Sequence, residues 1–164
     1  MGNLSIDVLA EDPRWEIARL EALAQRVLPI VLAASDIPEG DWEVSILACD
    51  DDRIAVLNTE FRAKPTPTNV LSWPADELGP EIPGGTPDLP SGEDPCLGDI
   101  AVSYDTCARE AADQGLTFEA HITHLLVHGV LHLLGYDHID DKDADKMEAL
   151  EVAILATLGV ADPY

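Results

Sequence analysis

Apolar and polar positions alternate in several short stretches of the chain, which is the pattern of strands that bury one face. Residues 4–8 and residues 42–48 alternate in this way, residues 97–104 follow as a further strand, and the end of residues 61–74 is strand-like in composition. We therefore expect three to four strands, interleaved with helices.

The segments between these stretches have apolar residues at helical spacing. Asp12 is expected to cap the first helix, with Pro13 in its first turn. The acidic triplet at 50–52 is expected to start the next helix rather than bind a metal, because a helical pattern follows it directly. The apolar stripes are Leu20, Leu23, Val27, Ile30 and Val31 in the first helix, and Ile54, Leu57 and Phe61 in the second.

Three more helices are predicted in the second half of the chain. Asp105 is expected to cap a short helix that ends at Gly115, and Thr117 is expected to cap the next one. A final helix should start at Asp140 or Asp141. The residues expected to pack inward from this last helix are Met147, Leu150, Val152, Ile154, Leu155 and Leu158.

Residues 75–95 form an acidic segment rich in proline and glycine, which can join neither a helix nor a central strand. We expect a mobile surface insertion there; a tolerated insertion is favoured over a lid. No repeats or second domain are evident. The chain, residues 1–164, is therefore expected to be a single α+β domain with a small mixed sheet of three to four strands and about five helices.

The composition restricts the possible partners. The 32 acidic and 9 basic residues give a formal net charge of −23, which repels nucleic acid at long range, so RNA binding requires a local basic patch or a metal. No apolar run approaches the roughly 20 residues of a membrane span, and the first residues do not resemble a signal peptide, so we expect a cytoplasmic protein. Three widely spaced cysteines suit unpaired thiols in a reducing compartment: Cys49, Cys96 and Cys107.

The most informative segment holds three histidines. His128 and His132 are four residues apart, so both imidazoles project from one face of a helix. Gly135 accepts the left-handed conformation that ends helices, which allows the chain to turn back and bring His138 to the same point. Three neutral nitrogen ligands with an open fourth position are typical of catalytic zinc. We predict one Zn²⁺ ion held by these three histidines.

The spacing of the three histidines is that of the metzincin proteases, with one difference. Those enzymes have glutamate, the general base, directly after the first histidine, whereas this chain has Gly129. The pattern therefore favours a zinc hydrolase of another kind. Of the two other histidines in the same helix, His124 is expected to support the site or join the core, and His121 is expected at the polar surface.

A positively charged pair precedes the third predicted strand. Arg62 and Lys64 are either solvated side chains at a helix end or contacts to a phosphate near the zinc. Their spacing alone does not decide between these alternatives.

Residues 124–138 resemble the signature of the YbeY family, the bacterial endoribonucleases and rRNA maturation factors. Three further stretches resemble the same family in the same order, so that the resemblance spans most of the chain. These are Leu57-Asn58 with Phe61-Arg62, residues 67–74, and residues 97–100.

The resemblance implies zinc bound by His128, His132 and His138, and a single-strand-specific endoribonuclease activity. It also implies a role in 16S rRNA 3'-end maturation and ribosome quality control, with rRNA and the ribosome or small-subunit proteins as partners. Arg62 would be the functional arginine of the family, which favours the phosphate contact. The chain differs from the family pattern in three ways. Pro65 and Asn69 stand where the family usually has aspartate, Trp73 stands where it usually has phenylalanine, and the acidic loop is unusually long. The loss of two acidic groups should affect how the substrate is bound.

The reaction expected is phosphodiester hydrolysis. Zinc would polarise the phosphate or activate a water, and Arg62 would stabilise charge on the phosphoryl oxygens. The general base is not evident; activated water and the RNA's own 2'-hydroxyl are the alternatives. RNA binding requires that Arg62, Lys64, Arg109 or other basic residues gather around the metal. We therefore predict a basic cleft in an otherwise acidic surface, and acidic groups lining the site would argue against RNA.

Two other functions fit parts of the sequence. A zinc peptidase or amidohydrolase would need a carboxylate close enough to the zinc to replace the missing glutamate. A non-catalytic ribosome assembly factor, in which zinc only holds the end of the helix, would have a protein side chain such as cysteine as fourth ligand. Neither DNA nor a membrane is expected as a partner.

Overall fold

A computed structural model describes residues 3–164, and its centre is a four-stranded mixed sheet. The strands are β1 (Leu4–Ala10), β2 (Trp42–Cys49), β3 (Val70–Pro74) and β4 (Cys96–Ser103), in the order β1-β2-β4-β3. β1, β2 and β4 are parallel, and β3 runs antiparallel to β4 at one edge of the sheet. The predicted α+β fold with a small mixed sheet is confirmed.

Within residues 3–164, six helices cover the two faces of this sheet. They are α1 (Arg14–Ile17), α2 (Leu20–Ala34), α3 (Asp51–Arg62), α4 (Tyr104–Gln114), α5 (Phe118–Leu133) and α6 (Asp141–Thr157). The main core joins α2, α5 and α6 to one face of the sheet, and a smaller core joins α3 to the other. α5 is buried along most of its length and contacts β3, β4 and three other helices, α2, α4 and α6. This central position gives the predicted metal-binding helix a rigid setting.

The predicted first helix is interrupted. Arg19 adopts the left-handed conformation, with φ of 59°, and separates α1 from α2. The buried stripe that begins at Leu20 therefore belongs to a second helix. The predicted cap at Asp12 is wrong by one residue, because α1 begins at Arg14 and Pro13 occupies the N-cap position. Asp12 still accepts a hydrogen bond from the backbone N–H of Arg14, at 3.0 Å. The break was not predicted because arginine has no special preference for left-handed backbone.

Three predicted N-caps are confirmed, since each side chain accepts a backbone N–H from the first turn of its helix: Asp50, Thr117 and Asp140. The prediction for Asp105 is wrong. The N-cap of α4 is Ser103, two residues earlier, and Asp105 lies in the first turn. The carboxylate of Asp105 accepts a hydrogen bond from the backbone N–H of Asp51.

Residues 75–95 contain no helix or strand, as predicted. The segment is attached to its surroundings at several points. The backbone N–H of Gly84 donates to Asp143 of α6 at 2.7 Å, and Leu78 is 9% exposed. Leu78 also lies against Gly135, at the end of the histidine helix. The segment therefore forms part of the wall around the predicted metal site.

Within residues 3–164, none of the helices combines the length and the apolar character that crossing a membrane requires.

Candidate metal centre

The three histidines of the predicted zinc site meet at the end of α5. The Nε2 atoms of His128 and His132 are 3.0 Å apart. The ring centroid of His138 lies 5.3 Å from that of His128 and 5.1 Å from that of His132. One ring nitrogen of each histidine lies within 4.8 Å of the other two. Zinc–nitrogen distances of about 2.0–2.1 Å place tetrahedral ligands about 3.3 Å apart, so the arrangement suits one ion.

The turn at Gly135 brings the third histidine to the other two. Gly135 has φ of +99°, and a Cβ there would lie 2.7 Å from the carbonyl carbon of Leu78. The backbone N–H of Tyr136 donates to the carbonyl of Leu131 at 3.0 Å, which closes the helix end. The predicted stop at Gly135 is confirmed, and glycine is required there both for backbone conformation and for space.

Asp137 stabilises this turn through the backbone. Its Oδ1 accepts a hydrogen bond from the backbone N–H of His138 at 2.7 Å. The distance from Oδ1 to Nδ1 of the same histidine is 3.6 Å, which is beyond hydrogen-bond range. Asp137 therefore caps the turn and does not hydrogen-bond the imidazole of His138.

The chemistry of the three nitrogens fits a transition-metal ion. Burial, together with the neighbouring His128 and His138, lowers the pKa of His132 to about 4. His132 is therefore neutral at pH 7, with a lone pair available for a metal. Imidazole nitrogens are ligands for zinc, copper, iron and nickel. With two ring nitrogens only 3.0 Å apart, either a proton or a metal ion must lie between them.

A buried carboxylate lies behind the histidines. Glu151 of α6 is 0% exposed. Its Oε1 accepts from Nδ1 of His128 at 2.6 Å, and its Oε2 accepts from Nε2 of His124 at 3.0 Å and from the hydroxyl of Tyr164 at 2.5 Å. Burial raises the pKa of Glu151, but the three hydrogen bonds outweigh it and lower the pKa to about 2. Glu151 is therefore ionised.

The sequence analysis missed Glu151, although the sequence does contain a signal for it. Glu151 lies four residues after Met147 and four before Leu155, and therefore on the buried stripe of α6. A carboxylate on such a stripe requires partners. Together with His124 and His128 it forms a second group of possible metal ligands. The 2.6 Å contact between Glu151 and His128 is that of a charge-assisted hydrogen bond.

The metal-binding face opens into a cleft of about 830 Å³. The cleft is lined by His124, His128, His132 and His138, by Arg62 and residues 68–72 beside β3, and by Asp76, Glu77, Asp137 and Tyr164. Arg62 therefore lines the same cleft as the four histidines.

The prediction that basic residues line the cleft is wrong. In the part of the chain that the structure describes, Arg62 is the one lysine or arginine that lines the cleft, and three acidic residues line it as well: Asp76, Glu77 and Asp137. Lys64 does not line it. Arg109 forms an ion pair with Asp51 at 3.0 Å instead. The protein therefore offers an RNA little positive charge beyond Arg62 and a bound metal.

Gly129, at the position of the protease glutamate, packs against the sheet. A Cβ there would lie 3.3 Å from the side chain of Ile100 and 3.4 Å from the hydroxyl of Ser72. A larger side chain would therefore have to push these neighbours aside. The hydroxyl of Ser72 donates to the carbonyl of Gly129 at 3.3 Å, which holds α5 close to the edge strand.

No cysteine belongs to either group of possible ligands within residues 3–164. Cys49 and Cys107 are buried, and burial raises the pKa of both thiols. A bound ion would therefore keep a coordination position that faces the cleft, as a catalytic site requires and a purely structural site does not.

His121 is placed differently from the prediction. It is 3% exposed, not at the surface, and its Nε2 lies 2.9 Å from Oε1 of Glu110. The same carboxylate oxygen accepts a hydrogen bond from the side-chain amide of Asn69 at 2.9 Å. The amide can donate to Glu110, whereas an ionised aspartate would repel it. This contact gives a structural reason for asparagine at position 69.

Comparison with known proteins gives consistent matches over nearly the whole chain. The family model described as Endoribonuclease YbeY matches residues 6–159. The Endoribonuclease YbeY of Dinoroseobacter shibae is 56% identical over 163 residues, covering 98% of this chain and 90% of the relative. That of Ruegeria sp. (strain TM1040) is 56% identical over 162 residues, covering 97% and 95%. The solution structure of TM1509 from Thermotoga maritima is similar, with a TM-score of 0.57 and 25% identity over 96% of this chain and 97% of that one.

Proposed function

The chain belongs to the YbeY family of endoribonucleases, and from this premise we propose that it cleaves single-stranded RNA with one Zn²⁺ ion bound by His128, His132 and His138. The observation that carries the proposal is the convergence of these three ring nitrogens on a cleft that Arg62 also lines. The three acidic residues that line the cleft argue against RNA, but the match to an endoribonuclease family over residues 6–159 outweighs them and makes the chain a nuclease. The metal, its ligands and the preference for single strands are our proposals.

The residues of the chain have separate tasks in this reaction. His128 and His132 are fixed on one helix, and His138 completes the set after the turn. When bound, zinc supplies a Lewis acid that polarises the phosphodiester and activates water. Arg62 lines the same cleft, and its guanidinium can bind two phosphoryl oxygens and stabilise the charge that develops on them. The carboxylates that line the cleft would disfavour a phosphate placed anywhere but beside Arg62 and the metal.

The preference for single strands follows from where the site lies. A phosphate must enter the cleft to reach the histidines, and a flexible single strand can bend into it with its bases turned out. A duplex keeps its phosphates on a rigid helical path. We further propose that the natural substrate is 16S rRNA near its 3' end, and that the protein acts in ribosome quality control with the ribosome or small-subunit proteins in the cytoplasm. The resemblance of the four sequence stretches to the family supports this part.

The direct test compares the wild type with His132→Ala, purified identically and loaded with metal, on single-stranded and duplex RNA of the same sequence. We expect the wild type to cleave the single strand at least ten times faster than the duplex, and we expect cleavage by the variant to fall below detection. Equal cleavage by both proteins would reveal a contaminating nuclease. If neither protein cleaves RNA although the wild type binds metal, the proposal fails. A non-catalytic ribosome assembly factor with structural zinc is then favoured.

A further inference from the structure

We propose that Glu151 is the positioning residue of the metal centre, because its carboxylate fixes the tautomers of two neighbouring histidines and turns Nε2 of His128 toward the metal. The inference rests on the metal site of the proposed function. It concerns a residue on α6, a different helix from the one that carries His128 and His132.

The argument begins with hydrogen-bond direction. Two ring nitrogens and a hydroxyl meet the two oxygens of the Glu151 carboxylate, and carboxylate oxygens are acceptors, so the ring nitrogens that face Glu151 carry protons. His128 faces it with Nδ1 at 2.6 Å, and His124 faces it with Nε2 at 3.0 Å. His128 is therefore the Nδ1–H tautomer and His124 is the Nε2–H tautomer. One carboxylate imposes opposite tautomers on two histidines that are one helical turn apart.

The tautomer of His128 decides which nitrogen is free to bind a metal. With its proton on Nδ1, the lone pair lies on Nε2, which is the atom 3.0 Å from Nε2 of His132. The ring cannot rotate without losing the contact to Glu151. Nε2 of His128 is therefore held at the point where the ligands converge, before any metal arrives. Such support typically accounts for a factor of about 10–100 in metal affinity.

The donors around Glu151 give a second reason for a positioning role. A fully buried carboxylate is unfavourable unless positive charge or several donors compensate it. Among the residues that the structure describes, no lysine or arginine pairs with Glu151; its partners are His124, His128 and Tyr164. The buried carboxylate therefore depends on these donors, and its contacts hold both imidazoles in place.

Tyr164 completes the environment of the carboxylate. Its hydroxyl donates to Oε2 at 2.5 Å, and its ring lies edge-on to His124 at 5.8 Å between centroids. Oε2 therefore accepts hydrogen bonds from both Tyr164 and His124. The three donors thus fix both oxygens of Glu151, and the orientation of the carboxylate is transmitted to the two imidazoles.

The first measurement is made on the metal-free wild type by NMR of the histidine ring nitrogens. We expect His128 to carry its proton on Nδ1 and His124 to carry its proton on Nε2. The opposite tautomer at His128 would overturn the proposal. Because no metal and no variant are needed, this result does not depend on whether the protein proves to be a zinc nuclease.

The second measurement compares Glu151→Gln with Glu148→Gln, a substitution on the same helix at a partly exposed glutamate. The amide of glutamine removes the charge and lets the His128 ring change tautomer. We expect zinc affinity, measured by competition with a chromophoric chelator, to fall about 10–100-fold in Glu151→Gln and less than twofold in Glu148→Gln. Equal affinities, with the His128 tautomer unchanged, would refute the positioning role. Zinc failing to bind the wild type would refute the proposed function instead.

Discussion

Arg62 is the one positively charged side chain that the structure brings to the cleft within residues 3–164, so its removal should separate phosphate binding from metal binding. We expect Arg62→Ala to lower kcat/KM for RNA about 10²–10³-fold, because a donor to the developing charge is lost, while zinc content stays unchanged. Arg62→Lys should recover only part of the loss, since lysine cannot bind two oxygens in one plane.

Arg26→Ala is the matched control for Arg62. Arg26 is exposed and forms an ion pair with Glu119 at 2.9 Å, and such surface pairs contribute little. Cleavage by this variant should equal that of the wild type. Loss of activity in both arginine variants would indicate a general charge effect and not a specific contact at Arg62.

Gly135 combines backbone conformation with close packing, and the two effects can be separated by mutation. We expect Gly135→Ala to lower the free energy of unfolding by about 2–4 kcal/mol, of which about 1–2 kcal/mol is the left-handed backbone. The remainder is the clash of the new Cβ with Leu78, 2.7 Å away. Gly115→Ala is the control, because Gly115 also has positive φ but no atom lies within 4 Å of its Cβ position.

Denaturant unfolding of the two alanine variants measures this difference. The control should lose only the backbone part. Zinc affinity should fall in Gly135→Ala alone, because the turn positions His138. Equal losses of stability would show that the contact between Leu78 and Gly135 contributes nothing.

At the scale of elements, Asp51 joins the start of α3 to β4 and α4. Its Oδ1 accepts from the hydroxyl of Ser103 at 2.6 Å and from the N–H and the hydroxyl of Thr106 at 3.1 and 2.6 Å. Burial raises the pKa of Asp51, but these hydrogen bonds and the one from Arg109 outweigh it, so the pKa is lowered. The carboxylate is thus more stable in the folded state than in the unfolded chain.

This shift predicts acid sensitivity. A depressed folded-state pKa contributes stability above the unfolded pKa of about 3.9, and that contribution is lost as the pH falls below it. We expect Asp51→Asn to be about 1–2 kcal/mol less stable than the wild type at pH 7. The difference should shrink below about pH 4. A constant difference between pH 7 and pH 3, measured by urea unfolding, would contradict the assignment.

The elements also show what local sequence can and cannot predict. Some features depend only on residues within one helical turn of each other, so they could be predicted from the sequence. These are the caps at Asp50 and Thr117 and the histidine face of α5. The break at Arg19 has no local signal, because arginine has no preference for left-handed backbone. The role of Asp105 depends on a contact with Asp51 of α3, which is distant in sequence. Glu151 was missed for the same reason, because its partners lie on α5 and after α6.

At the scale of the whole molecule, the charge of −23 should be visible in the salt dependence of RNA cleavage. The prediction of a basic cleft failed because composition does not show where the nine basic side chains lie. Four of them form ion pairs with acidic residues: Arg14, Arg26, Arg53 and Arg109. A site with one arginine at its phosphate position releases few counterions, and salt also screens the repulsion from the rest of the surface.

We therefore expect log kcat/KM to change with log salt concentration with a slope between about zero and −1, measured from 50 to 200 mM salt at fixed zinc. A steep slope, near −4 or beyond, would mean that several basic residues contact the RNA. That result would contradict the cleft described by the structure.

The central claim is that one metal ion at the three histidines makes this protein a ribonuclease, and a reconstitution titration tests it most directly. Metal-free protein receives increasing zinc while cleavage of a single-stranded RNA is followed. The account predicts no cleavage without metal, a linear rise, and a break at about one equivalent per chain, with no rise in His132→Ala. Full cleavage by the metal-free protein, or a tightly bound equivalent of zinc that brings no cleavage, would contradict it.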